Sequence, residues 1–181
     1  SADRKLEEVL KKVEDDIRDL ERRLKRSLDE SKREVERLER ENRRVLEEVE
    51  KKVRADNVDE ERLREIKRVV DEAKESLREL VRRMRKVLED STREIEELRR
   101  RLREVLKEIR KEVKEMRDRG ESEETVKRII EKIERILRKL KRDAERILDK
   151  DRKLLKKLEE ESRKHIEDVK RLLEELERRT R

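Results

Sequence analysis

Residues 118–126 read DRGESEETV, and the number of helices in the chain turns on this stretch. On both sides of it an aliphatic residue recurs every three or four positions, the spacing of one apolar face of an α-helix. Gly120 is the only glycine among 181 residues, and it stands where a helix C-terminus takes a left-handed residue. Ser122 follows as an N-cap, and Glu123 and Glu124 put negative charge at the positive end of the next helix dipole. One helix stops and another starts within a few residues. Only one other stretch reads this way: RADNVDEERL, residues 54–63. There Asn57 suits the left-handed end of a helix, and Asp59 suits the cap of its successor. Val58, just before that cap, and Leu63, four residues after it, have the spacing of a hydrophobic staple. Glu60 and Glu61 repeat the acidic first turn. With Ser1 or Asp3 starting the first helix, three helices are expected, over about 2–56, 59–119 and 122–180. Each is about 80–90 Å long at 1.5 Å per residue.

Short connections make successive helices antiparallel neighbours. The expected fold is therefore all-α, a single-chain antiparallel three-helix bundle forming one domain over residues 1–181. Each helix has one apolar stripe and two partners in the same chain to bury it, so a monomer needing no partner is expected. Composition also allows a competing reading. The chain is 62% charged and 30% hydrophobic, with no proline, cysteine or aromatic residue, and high charge with low hydrophobicity is a mark of disorder. A disordered chain does not hold Leu, Ile and Val in register for fifty residues at a time, so long helices are expected instead.

The period is specific. Steps of eighteen link Leu10, Leu28 and Leu46; Ile17, Val35 and Val53; Val69, Val87 and Val105; Leu77, Ile95 and Val113; Ile130, Leu148 and Ile166; and Leu140, Leu158 and Leu176. Eighteen residues in five turns is the pitch of a straight helix, whereas a seven-residue repeat imposes a left-handed supercoil and an eleven-residue repeat a right-handed one. Nearly untwisted helices are expected. Strong helix formers, two short loops and no proline imply high stability.

An eighteen-residue repeat, minimal capped loops, no aromatics and a Glu/Lys/Arg surface resemble de novo designed helical bundles. More closely, the whole chain resembles parametrically generated, untwisted antiparallel three-helix bundles. That resemblance implies a hyperstable monomeric scaffold with no natural substrate. The simplest of those bundles have wholly aliphatic cores, and this chain departs from them. Spectrin-type repeats and exchangeable apolipoproteins fit less well, since they usually carry the aromatic residues missing here.

The departure lies in the eighteen-residue lattice itself. Ser27 shares a column with Val9 and Val45, Ser31 with Val13 and Val49, and Ser91 with Ala73 and Ile109. Asp151 falls between Ile133 and Val169, and Asn42 follows Leu6 and Leu24. His165 follows Ile129 and Ile147, and Ser162 shares a column with Val126 and Ala144. If the helix midpoints, near 29, 89 and 151, lie at one level, Ser27, Ser31, Ser91 and Asp151 form a central cluster. Asn42, Ser162 and His165 then form a second, near Ala73. A buried carboxylate accepts hydrogen bonds and donates none, so the three serines are expected to serve Asp151, and Asn42 and Ser162 to serve His165. A polar layer of this kind penalises sliding one helix past another, because its members would then face Leu or Ile unpaired.

Little else carries chemistry. Asp151 and His165 are fourteen residues apart on one helix, about 21 Å, and cannot act as a dyad. Ser162, His165 and Asn42 have the makings of a Ser-His-Asn arrangement, but a continuous bundle supplies no oxyanion donors and no substrate access. Catalysis is not expected. One histidine and no cysteine argue against a metal site, and no glycine-rich loop argues for a phosphate or cofactor site. Met84 and Met116 read as gap-fillers. The net charge of +7 arises from 60 basic and 53 acidic residues finely interleaved, not clustered as a nucleic-acid footprint would be. No apolar run is long enough to cross a bilayer and no signal-peptide pattern is seen, so the chain reads as soluble with no compartment specified. Neither nucleic acid nor membrane is an expected partner. The expected role is a structural scaffold; the alternative is a rod-like binding or spacer module presenting its helical faces to a partner helix.

Overall fold

The computed structural model describes residues 1–55 and 59–180, apart from the side chains of Leu176, Arg179 and Thr180. The chain is all-α. Three long helices, α1 (Ala2–Ala55), α2 (Glu60–Arg119) and α3 (Glu123–Thr180), pack against each other as a three-helix bundle. The described residues contain no strand.

The helix starts follow the capping chemistry. Ser1 Oγ accepts from the backbone N–H of Arg4 at 3.4 Å, Asp59 Oδ1 from that of Arg62 at 2.9 Å, and Ser122 Oγ from that of Thr125 at 3.3 Å. Each satisfies one of the backbone donors that a helix start leaves without a partner. Gly120 closes α2 at φ 63°, with its N–H donating to the Met116 carbonyl at 3.1 Å. Asn57 and Val58 lie outside the described residues, and with them the left-handed turn and the staple read from the sequence. Leu63, the other half of that staple, is 45% exposed and adds nothing to the core.

The packed residues group into two compact units, 1–29 with 91–151 and 30–90 with 152–181. In the first unit, Glu7, Glu14 and Glu21 of α1 pair with Arg117, Arg110 and Arg103 of α2. One number rises as the other falls, so α1 and α2 are antiparallel, and each pair of numbers sums to 124 (for example 14 and 110). Glu94–Lys150 and Arg101–Asp143 set α2 antiparallel to α3, each pair summing to 244. Asp16–Lys141 and Arg23–Glu145 set α1 parallel to α3. Inside these seams Leu24, Ile95, Leu102 and Ile133 are fully buried.

The second unit, taken by itself, uses the same offsets. Glu39–Arg85 and Glu50–Lys74 join α1 to α2, again summing to 124, and Arg83–Glu161 joins α2 to α3, again summing to 244. Its apolar interior includes the clusters Val35, Leu38, Leu80, Met84 and Leu158, and Val49, Ile66, Val70 and Val169. Met84 is wholly enclosed in the first of them, where an unbranched thioether fills irregular space.

Candidate functional site

The lattice columns sort the polar residues by burial. Leu6, Leu24 and Asn42 are all buried, as are Val13, Ser31 and Val49; Ile133, Asp151 and Val169; and Val126, Ala144 and Ser162. Val9, Ser27 and Val45 are all half-buried, and so are Ile129, Ile147 and His165. Ser27 and His165 therefore sit at the edge of their helices' apolar stripes, not at the centre. The expected polar core thus includes two half-buried members at its edge. A polar side chain inherits the exposure of the aliphatic it replaces, because the backbone position and not the side chain fixes the angle to the core.

In the second unit the sequence-expected cluster of Asn42, Ser162 and His165 comes together across α1 and α3. Asn42 Nδ2 donates to Ser162 Oγ at 2.5 Å and to the Leu38 carbonyl of its own helix at 2.7 Å. With both amide hydrogens directed at acceptors, Asn42 Oδ1 faces His165 Nδ1 at 2.9 Å. An amide oxygen only accepts, so His165 carries a hydrogen on Nδ1. The reverse amide orientation would set an oxygen against the Leu38 carbonyl. His165 Nε2 is buried without a hydrogen-bond partner among the described residues.

Ser162 also lines a groove of about 400 Å³ between α1 and α3. The walls of this groove mix Arg37, Arg163 and Lys170 with Glu41, Glu159 and Glu167, so neither sign of ligand is favoured there. Nearby, Arg37 holds the Glu34 carboxyl below its usual range through a hydrogen bond and an ion pair of 2.6 Å, while sharing a hydrogen bond with Glu34 raises that of Glu159.

In the first unit Ser91 Oγ donates to Asp151 Oδ1 at 2.9 Å, joining α2 to α3. Asp151 is 2% exposed and Ser91 is buried with it. Asp151 Oδ2 has no hydrogen-bond partner among the described residues. The expectation that serine hydroxyls would serve both oxygens thus fails at Oδ2. Burial pushes the Asp151 carboxyl above the usual aspartate range; the Ser91 hydrogen bond opposes that, Glu94 adds to it and Lys150 opposes it. Ser31 is buried and Ser27 half-buried, and each has a partner of its own.

Among the described residues no three His, Asp or Glu side chains are placed to hold a metal ion. None of the described helices is long and apolar enough to cross a membrane. Comparison with protein-family models, with curated proteins and with solved structures found no match.

Proposed function

We propose that this chain is a designed structural scaffold: a hyperstable, untwisted, monomeric three-helix bundle without catalytic activity, whose buried polar residues fix the alignment of its helices. The observation that carries this reading is the Asn42–Ser162–His165 network, in which one amide ties α1 to α3 through one hydrogen and its oxygen while its other hydrogen bonds Leu38 of its own helix. Sliding α1 along α3 would face that amide with aliphatic side chains and strand the hydrogen it gives to Ser162 and the oxygen it offers His165, at a cost of about 1–3 kcal/mol for each unsatisfied group. Aliphatic layers alone repeat along the helix and discriminate weakly between alignments.

Two further observations support the untwisted geometry. Charged pairs step by seven residues in the first unit (Glu7, Glu14, Glu21) and by eleven in the second (Glu39, Glu50). Seven and eleven together make eighteen, the repeat at which neither hand of supercoil accumulates. Against catalysis, His165 Nδ1 is bonded to Asn42 and not to Ser162, so the serine has no base in hydrogen-bond contact through that nitrogen.

Light scattering together with a thermal melt tests the proposal. A particle of 22.5 kDa whose helical signal survives above about 90 °C is expected. A concentration-dependent dimer, or a melt near 50 °C, would favour the binding or spacer module instead.

A further inference from the structure

Asp151 is enclosed between helices with one donor, the Ser91 hydroxyl, on Oδ1, and among the described residues no donor on Oδ2. An ionised carboxylate spreads its charge over both oxygens and needs donors at each. In this site half of that charge would lie against side chains that offer none. A neutral acid replaces the unpaired anionic oxygen with a hydroxyl, which is far less costly to bury. The charged groups acting on Asp151 do not rescue the anion. Glu94 of α2 has the same sign, and Lys150 of α3 has the opposite sign but places its Nζ 2.8 Å from Glu94 Oε1. Among the described residues, the charges that act on it come from α2 and α3.

We propose that Asp151 is carried in the folded protein as a neutral carboxylic acid over a pH range in which the surface aspartates are already ionised, making the α2–α3 seam of the first unit a proton-held latch that loosens as the pH rises. The linkage has a definite sign. The folded-state acid is weaker than the unfolded one, so the folded state binds more protons between the two ionisations, and the slope of stability with pH is negative there. The stabilisation is complete below the usual aspartate value of 3.8 and is lost as the pH climbs through the raised folded-state value. The latch does not depend on the alignment role, since it rests on which protonation state the Asp151 site tolerates in the native alignment and not on what the carboxyl would meet in another one.

Carboxyl ¹³C NMR of the full chain across a pH series tests this directly. The Asp151 carbon is expected to titrate above the usual aspartate value of 3.8. Amide exchange supplies a second readout. In the titration window, protection next to Ser91 and Asp151 should fall about tenfold per pH unit beyond ordinary base catalysis. Asp151→Asn, which keeps the acceptor for Ser91, should abolish that extra fall. The proposal is overturned if the Asp151 carbon titrates at or below the usual aspartate value of 3.8, or if the native and Asp151→Asn chains lose protection in parallel.

Discussion

Asn42 shows what a single buried amide does in an aliphatic stripe. Its column neighbours Leu6 and Leu24 are buried to the same degree, so replacing it with leucine brings no misfit of pattern. The loss is in its partners. Asn42→Leu leaves His165 Nδ1–H without its acceptor and should destabilise the protein by about 1–3 kcal/mol. Adding His165→Ile and Ser162→Ala removes the stranded groups and should recover most of that loss; denaturant titrations of the single and triple variants measure both. The Ser91–Asp151 pair follows the same logic with higher stakes. Ser91→Ala, leaving the carboxyl with no donor, should lower stability, whereas Ser91→Ala with Asp151→Leu should equal or exceed the native chain at neutral pH. Equal unfolding free energies for the two variants would show that the carboxyl reaches water. The lattice locates most of these residues, because the columns of Asn42, Ser31, Asp151, Ser162, Ser27 and His165 each share one exposure, although in that of Ser91 Ala73 is half-buried where Ser91 and Ile109 are buried. It does not say which hydroxyl meets which oxygen. That depends on rotamer and on axial offsets of a few ångströms.

The helix ends at Asp59, Gly120 and Ser122 were legible, because caps depend on local chemistry. Asp59 and Ser122 bond the third N–H of their helices, at Arg62 and Thr125, and Gly120 takes the left-handed conformation. A methyl group at Gly120 would meet no atom within 4 Å, so Gly120→Ala should act through backbone conformation alone, costing about 1–2 kcal/mol. Ser122→Ala should cost about 1 kcal/mol. Thermal or denaturant unfolding of each variant checks these values. Relative helix height was less legible. Taking the midpoints near residues 29 and 89 as level sets Asp29 of α1 beside Glu89 of α2. The charged pairs of the first unit put it opposite residue 95 instead, since their numbers sum to 124. That is an axial shift of about six residues, roughly 9 Å. Loop geometry and charge pairing fix the height, and neither follows from helix length. The pairs themselves lie on exposed surfaces: Arg110 and Glu14 have side chains 52% and 28% exposed. Glu14→Gln should therefore change stability by less than about 1 kcal/mol, and less still in high salt.

For the molecule as a whole, the all-α three-helix architecture follows from two capped breaks and a sustained apolar period, both local properties of the sequence. What those properties leave open is the choice among alignments that bury equally good aliphatic layers. In this account Ser91 and Asp151 make that choice between α2 and α3, and Asn42, Ser162 and His165 make it between α1 and α3. Spin-label distance distributions test it most directly, with one pair at Arg100→Cys and Arg142→Cys and a second at Arg40→Cys and Lys164→Cys. The native chain should give one narrow distance for each pair. A chain carrying Ser91→Ala, Asp151→Leu, Asn42→Leu, Ser162→Ala and His165→Ile should stay folded but gain a second population, from helices displaced axially by about 10 Å, or seven residues. A single unchanged distance in that variant would contradict the account.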